Sequence, residues 1–97
     1  RKILIVDPEN VFEGRLELLK KMDFDYDVKI GNESYDEIKK NIEDGDIDSA
    51  ILVDKKNNGD VNIRYIVEST TMMDEVPEDI VNTINVLYSN IQIEKLG

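Results

Sequence analysis

The chain contains neither cysteine nor histidine. Without cysteine there is no disulfide framework, no thiolate nucleophile and no zinc ribbon. Without histidine it lacks the commonest general base and the commonest transition-metal ligand. The five glycines are scattered and none forms G-x-G, so no phosphate-cradling glycine loop is present. No apolar run approaches the roughly 18 residues a membrane span needs, and no charged-then-apolar leader precedes the first apolar run. Together these absences predict a soluble, cytoplasmic protein with no redox chemistry and no membrane association.

What the chain has in excess is negative charge. Twenty-two acids stand against 12 bases, a formal net charge of −10. Such a chain repels phosphate backbones, which argues against nucleic-acid binding. The natural counterparts are basic protein surfaces or divalent cations, Mg2+ or Ca2+. Its 97 residues make one domain, 1–97, large enough for a single layered core.

Two apolar runs each end on an aspartate: Ile3-Leu4-Ile5-Val6-Asp7 and Ala50-Ile51-Leu52-Val53-Asp54. Continuous β-favouring runs read as buried central strands. Two other segments alternate and read as edge strands: Tyr26, Val28 and Ile30 in one, Val61, Ile63, Tyr65 and Val67 in the other, which spans about 61–68. Between the first two strands, Phe12, Leu16 and Leu19 recur at helical spacing, widened by Val11, Leu18 and Met22, with Glu17 and Lys21 paired on the exposed side. A second helix opens at the capping box Ser34-Tyr35-Asp36-Glu37, buries Tyr35, Ile38 and Ile42, and stops at Gly45. Asn58-Gly59 predicts a hairpin into the fourth strand. Pro77, Glu78 and Asp79 suit a helix start, and Ile80, Ile84, Leu87 and Ile91 continue it, with 91–96 read as helix rather than strand.

The order is βαβαββα. Placing the continuous runs centrally and the alternating runs outside gives a four-stranded, mostly parallel α/β sheet of order 2-1-3-4, strand four antiparallel, with helices on both faces. Only about seven residues join strands three and four, too few for a parallel crossover. Asp7 and Asp54 then lie at the carboxyl edge of neighbouring strands about 4.8 Å apart, where open α/β sheets bind ligands. With Glu9 in support they form a candidate Mg2+ or Ca2+ site.

Residues 2–54 resemble the first half of a response-regulator receiver domain, of flavodoxin-like fold. The resemblance rests on the strand KILIVD, Arg15 on the first helix, and the strand AILVD ending at Asp54. It implies that Asp54 is a phosphoacceptor and that Asp7 helps to hold magnesium. The chain departs from that pattern in several places. Asp7-Pro8 replaces an acidic doublet, leaving Glu9 as the second acid; no Met-Pro follows Asp54; and Lys95 lacks a following proline. The antiparallel return also carries Ser69 and Thr70 away from Asp54. The element order resembles the thioredoxin/glutaredoxin core as well, without its cysteines; there strand three would run antiparallel to strand one.

Two aspartate triplets, Asp23, Asp25, Asp27 and Asp44, Asp46, Asp48, each follow a helix and lead into a strand. Both belong to the amino edge of the sheet and form an alternative cation site or an acidic edge for a basic partner. Read plainly, they are solvated turn residues that discourage edge pairing. Ser69, Thr70 and Thr71 have no base and read as loop hydroxyls; Met72, Met73 and Val76 read as loop packing. The expected function is that of a small, acidic, non-enzymatic regulatory or accessory domain acting by protein interaction. Strand 61–68 offers an edge for pairing with a second copy.

Overall fold

The computed structural model describes residues 1–67 and 76–97. Strand β1 (Lys2–Val6) leads to a 3-10 helix (Arg15–Lys21), then β2 (Asp27–Gly31), α1 (Tyr35–Glu43), β3 (Ser49–Lys55), β4 (Val61–Val67) and α2 (Glu78–Leu96). The sheet order is β2-β1-β3-β4. β1 is parallel to β2 and to β3, and β4 returns antiparallel to β3. The parallel β1–β3 pair excludes the thioredoxin arrangement. The mixed α/β sheet inferred from strand patterning is therefore the fold.

Strand alternation divides the core. Ile3, Ile5, Ile51 and Val53 face the 3-10 segment and α2, packing on Phe12, Leu16, Leu19, Ile80, Ile84 and Ile91. Leu4, Val6, Ala50 and Leu52 face α1 and meet Ile38, Ile42 and Ile47. A side chain on either central strand is buried whichever way it points, because helices cover both faces. That is why these strands are apolar without alternation.

The first helix differs from the expected α-helix. Asn10 (φ 52°), Glu13 (φ 54°) and Gly14 (φ 79°) adopt left-handed backbone, and only Arg15–Lys21 is helical, with 3-10 geometry. At three residues per turn, Leu16 and Leu19 share the buried side. Leu18 and Met22 turn outward, 49% and 45% exposed, so they do not widen the stripe. The same winding pairs Glu17 with Lys20, at 3.4 Å, in place of Lys21.

α1 forms as its sequence dictates. Ser34 Oγ accepts from the Glu37 N–H, and the Glu37 carboxylate accepts from the Ser34 N–H. Tyr35 is not in its buried stripe. The ring lies 40% exposed, with the Arg64 guanidinium of β4 stacked 4.6 Å from its centroid. The Asn-Gly hairpin is present: Lys56 N–H bonds the Asp60 carbonyl, and Gly59 takes φ 92°. α2 runs through 91–96 as helix. Val76 packs against the core, whereas Ser69, Thr70, Thr71, Met72 and Met73 lie outside the described residues.

Candidate functional site

The carboxyl edge is built by the ends of β1 and β3 and the last turns of α2. Asp7 follows β1 directly, and both of its carboxylate oxygens are engaged by backbone. Oδ1 accepts from the Val11 N–H and Oδ2 from the Phe12 N–H, each at 2.9 Å. Asp7 thus organises the turn that interrupts the first helix and brings Phe12 into the core.

Asp54 lies near the end of β3, opposite Asn62 of β4. The register pairs Ile5 with Ile51. Asp7 is two residues beyond its reference and Asp54 three, so strand alternation sends them to opposite faces of the sheet. Asp7 joins the face of Ile5 and Phe12, and Asp54 that of Leu52. Glu9 is exposed and lines a different cavity from Asp7. The structure places Asp7 and Asp54 at one edge but does not converge Asp7, Glu9 and Asp54 on a common point. Among the described residues no three acids gather closely enough to hold a metal ion.

At the amino edge all six aspartates are exposed. Asp27 opens β2 in register with Lys2. Asp48 precedes β3, and its carboxylate accepts from the Lys2 N–H at 2.6 Å while its own N–H bonds the Lys2 carbonyl at 2.9 Å. Asp44 caps the end of α1, and Gly45 at φ 80° turns the chain toward Asp46. The start of α2 adds Glu78 and Asp79 to this end. Asp79 Oδ1 accepts from the Tyr26 hydroxyl at 2.7 Å. Burial first, then the hydrogen bond to Asp79 and its charge, hold the Tyr26 phenol well above its ordinary pKa.

Two features escaped sequence reasoning. One is an open groove of about 870 Å³ at the carboxyl edge, lined by Lys55, Lys56 and Lys95 together with Glu9, Glu13, Asp60 and Tyr88. Lys55 and Lys56 follow the strand-ending Asp54, and Tyr88, Gln92 and Lys95 share a helix face by spacing. Bringing the two sets together requires the direction of α2, which no local pattern encodes.

The other is the outer side of α2. The fourteen residues Ile80 to Ile93 include no charged side chain, in a chain that is 35% charged. Ile80, Ile84 and Ile91 bury one side. Asn82, Val86, Ser89, Ile93 and Leu96 are exposed and follow a 4-3-4-3 spacing, the geometry of a helix-packing seam. Val86, Ile93 and Leu96 are 59%, 64% and 90% exposed. Among the described residues no helix is long and apolar enough to cross a membrane.

No protein-family model and no curated protein matches the chain. Among solved structures, a crystal structure provisionally described as an ABC transporter domain from Porphyromonas gingivalis W83 is similar, with a TM-score of 0.58 and 17% identity over 98% of this chain and 72% of that one. At that identity the likeness establishes a shared fold and nothing about activity.

Proposed function

We propose that this chain is a non-enzymatic interaction module whose principal contact is the outer face of α2. The carrying observation is the exposed seam Asn82, Val86, Ser89, Ile93 and Leu96 on a helix whose middle has no charge. Depletion of charge with retained apolar bulk is the signature of an interface centre. The partner is a protein helix with an apolar stripe and basic flanks. The acidic amino edge, which includes Glu78 and Asp79 at the start of α2, steers its approach.

The side-chain chemistry supports binding over catalysis. Histidine and cysteine are absent from the sequence. Thr83 donates its hydroxyl to the Asp79 carbonyl, Ser34 caps α1, and Ser49 is buried among apolar neighbours. None of these three hydroxyls is hydrogen-bonded to a carboxylate that could act as its base.

Titrating the labelled protein with a synthetic amphipathic leucine-lysine helix tests the reading. Amide shifts should concentrate on residues 82–96, with smaller ones at 23–27 and 44–48, and V86E/I93E should weaken binding by roughly tenfold or more. Shifts confined to the aspartates, or no shifts, reject the α2 contact.

The outer edge of β4 supports a second reading, self-pairing of that seven-residue edge strand with another copy. Sedimentation showing only monomer at high protein concentration rejects it.

A further inference from the structure

We infer that the carboxyl-edge groove is a binding site for a soluble, hydroxyl-bearing phosphate ester, with Lys55, Lys56 and Lys95 holding the anion. The inference does not depend on the α2 contact.

Three observations converge. The groove lies beyond the carboxyl ends of the parallel strands β1 and β3, where open α/β sheets place their ligands. Its volume of about 870 Å³ suits a small organic molecule. The third observation concerns charge. Three of the nine lysines, Lys55, Lys56 and Lys95, line this one groove, and among the described residues no carboxylate lies within ion-pair distance of them, as for every lysine but Lys20.

The acids of the groove do not cancel these cations at contact distance. The Glu13 carboxylate faces Arg15 at 3.8 Å, and Arg15 is also bonded to Glu94. The Asp60 carboxylate accepts from the Asn58 side-chain amide at 3.1 Å. Glu9 is left as an acceptor for a ligand hydroxyl, and the Asn10, Asn62 and Gln92 amides can donate or accept. Tyr88 supplies an apolar wall, fixed by its ring contact with Phe12 at 5.9 Å. Lysine ammonium groups bind phosphate as point charges without demanding one geometry, which suits an open groove. The net charge of −10 disfavours an anionic bilayer as the source of the phosphate group.

The test is an amide-shift titration of the whole chain with glycerol phosphate, against inorganic phosphate and against sodium chloride at matched ionic strength. Saturable shifts are expected at Lys55, Lys56, Gly59 and Lys95, with glycerol phosphate binding more tightly than inorganic phosphate. K55Q, K56Q and K95Q should each weaken binding roughly fivefold, while K95R retains it. All three side chains are exposed, so the variants fold, which their spectra verify. The inference is overturned if chloride reproduces the shifts, if the glutamine variants bind like the parent chain, or if the shifts arise only with phosphatidylglycerol vesicles.

Discussion

The two edges of this sheet are made from the same kinds of residue and use them in opposite ways. At the amino edge, Asp48 closes onto the backbone of Lys2 and Asp79 receives the Tyr26 hydroxyl, while Asp23, Asp25, Asp44 and Asp46 stand in solvent. At the carboxyl edge, Asp7 is occupied by two backbone amides, and Lys55, Lys56 and Lys95 have no carboxylate within ion-pair distance among the described residues. An acid that ends a strand can be part of the scaffold, and a base beside it can be the group left free for a ligand. The chemical type of a residue therefore does not reveal its role. What reveals it is which of its hydrogen-bonding positions the fold has already filled.

The largest test of this contrast is Asp7→Ala. It removes both acceptors from the Val11 and Phe12 N–H groups, the second belonging to a buried residue, and should cost about 3 kcal/mol in chemical denaturation. Asp7→Asn, with one acceptor oxygen, should lose less. A change under about 0.5 kcal/mol for the alanine variant would show that Asp7 is not scaffold and would reopen it as a ligand group. At the other edge, Asp48→Ala deletes one exposed bond to the Lys2 N–H and should cost about 1 kcal/mol.

These predictions also mark where sequence reasoning reached and where it stopped. The sheet order was readable because hydrophobic continuity in Ile3–Val6 and Ala50–Val53 separates central strands from the alternating β2 and β4. The hairpin was readable because Asn58-Gly59 leaves no room for a crossover. The relation between Asp7 and Asp54 was not. It depends on the pairing of Ile5 with Ile51, and moving that register by one residue would put both carboxylates on one face. The 3-10 segment was also hidden. Phe12, Leu16 and Leu19 keep helical spacing and are buried, but the Asp7 carboxylate holds the Val11 and Phe12 N–H groups, the Asn10 side chain holds that of Gly14, and the backbone is left-handed at Glu13 and Gly14. Tyr35 escaped because its partner, Arg64, lies across the sheet edge on another element. For the two aspartates and for Tyr35 a long-range contact overrides a local pattern, whereas the Asp7 carboxylate acts from only four and five residues away.

Tyr26 gives the amino edge a pH signature. Its phenol is neutral when it donates to Asp79, and its folded-state pKa is raised by burial and by that carboxylate. The sign follows from linkage. Stabilisation by this group is complete below the ordinary phenol value of about 10 and is lost as pH rises through the higher folded value. Denaturation midpoints of the parent chain should therefore fall in alkaline solution more steeply than those of Tyr26→Phe. At neutral pH the phenylalanine variant should be weaker by about 1 kcal/mol or less. Parallel alkaline profiles would show that Asp79 and Tyr26 are not bonded in solution.

The smallest expected effect separates the edges most cleanly. Asp44 sits at the end of α1, where a negative charge opposes the helix dipole, and Lys95 sits in the last turn of α2, where a positive charge complements it. Asp44→Asn should therefore stabilise the fold by a few tenths of a kcal/mol, and Lys95→Gln should destabilise it by a similar amount. Both effects should fade in about 1 M salt, where the Debye length is about 3 Å. If Asp44→Asn is instead destabilising, its carboxylate has a partner within the fold and belongs to the scaffold, as Asp7 does. If it is stabilising, Asp44 contributes nothing to folding. What remains for such a carboxylate is solubility or contact with a basic partner, and solubility alone would leave the leucine-lysine peptide affinity of Asp44→Asn unchanged once ionic strength is matched.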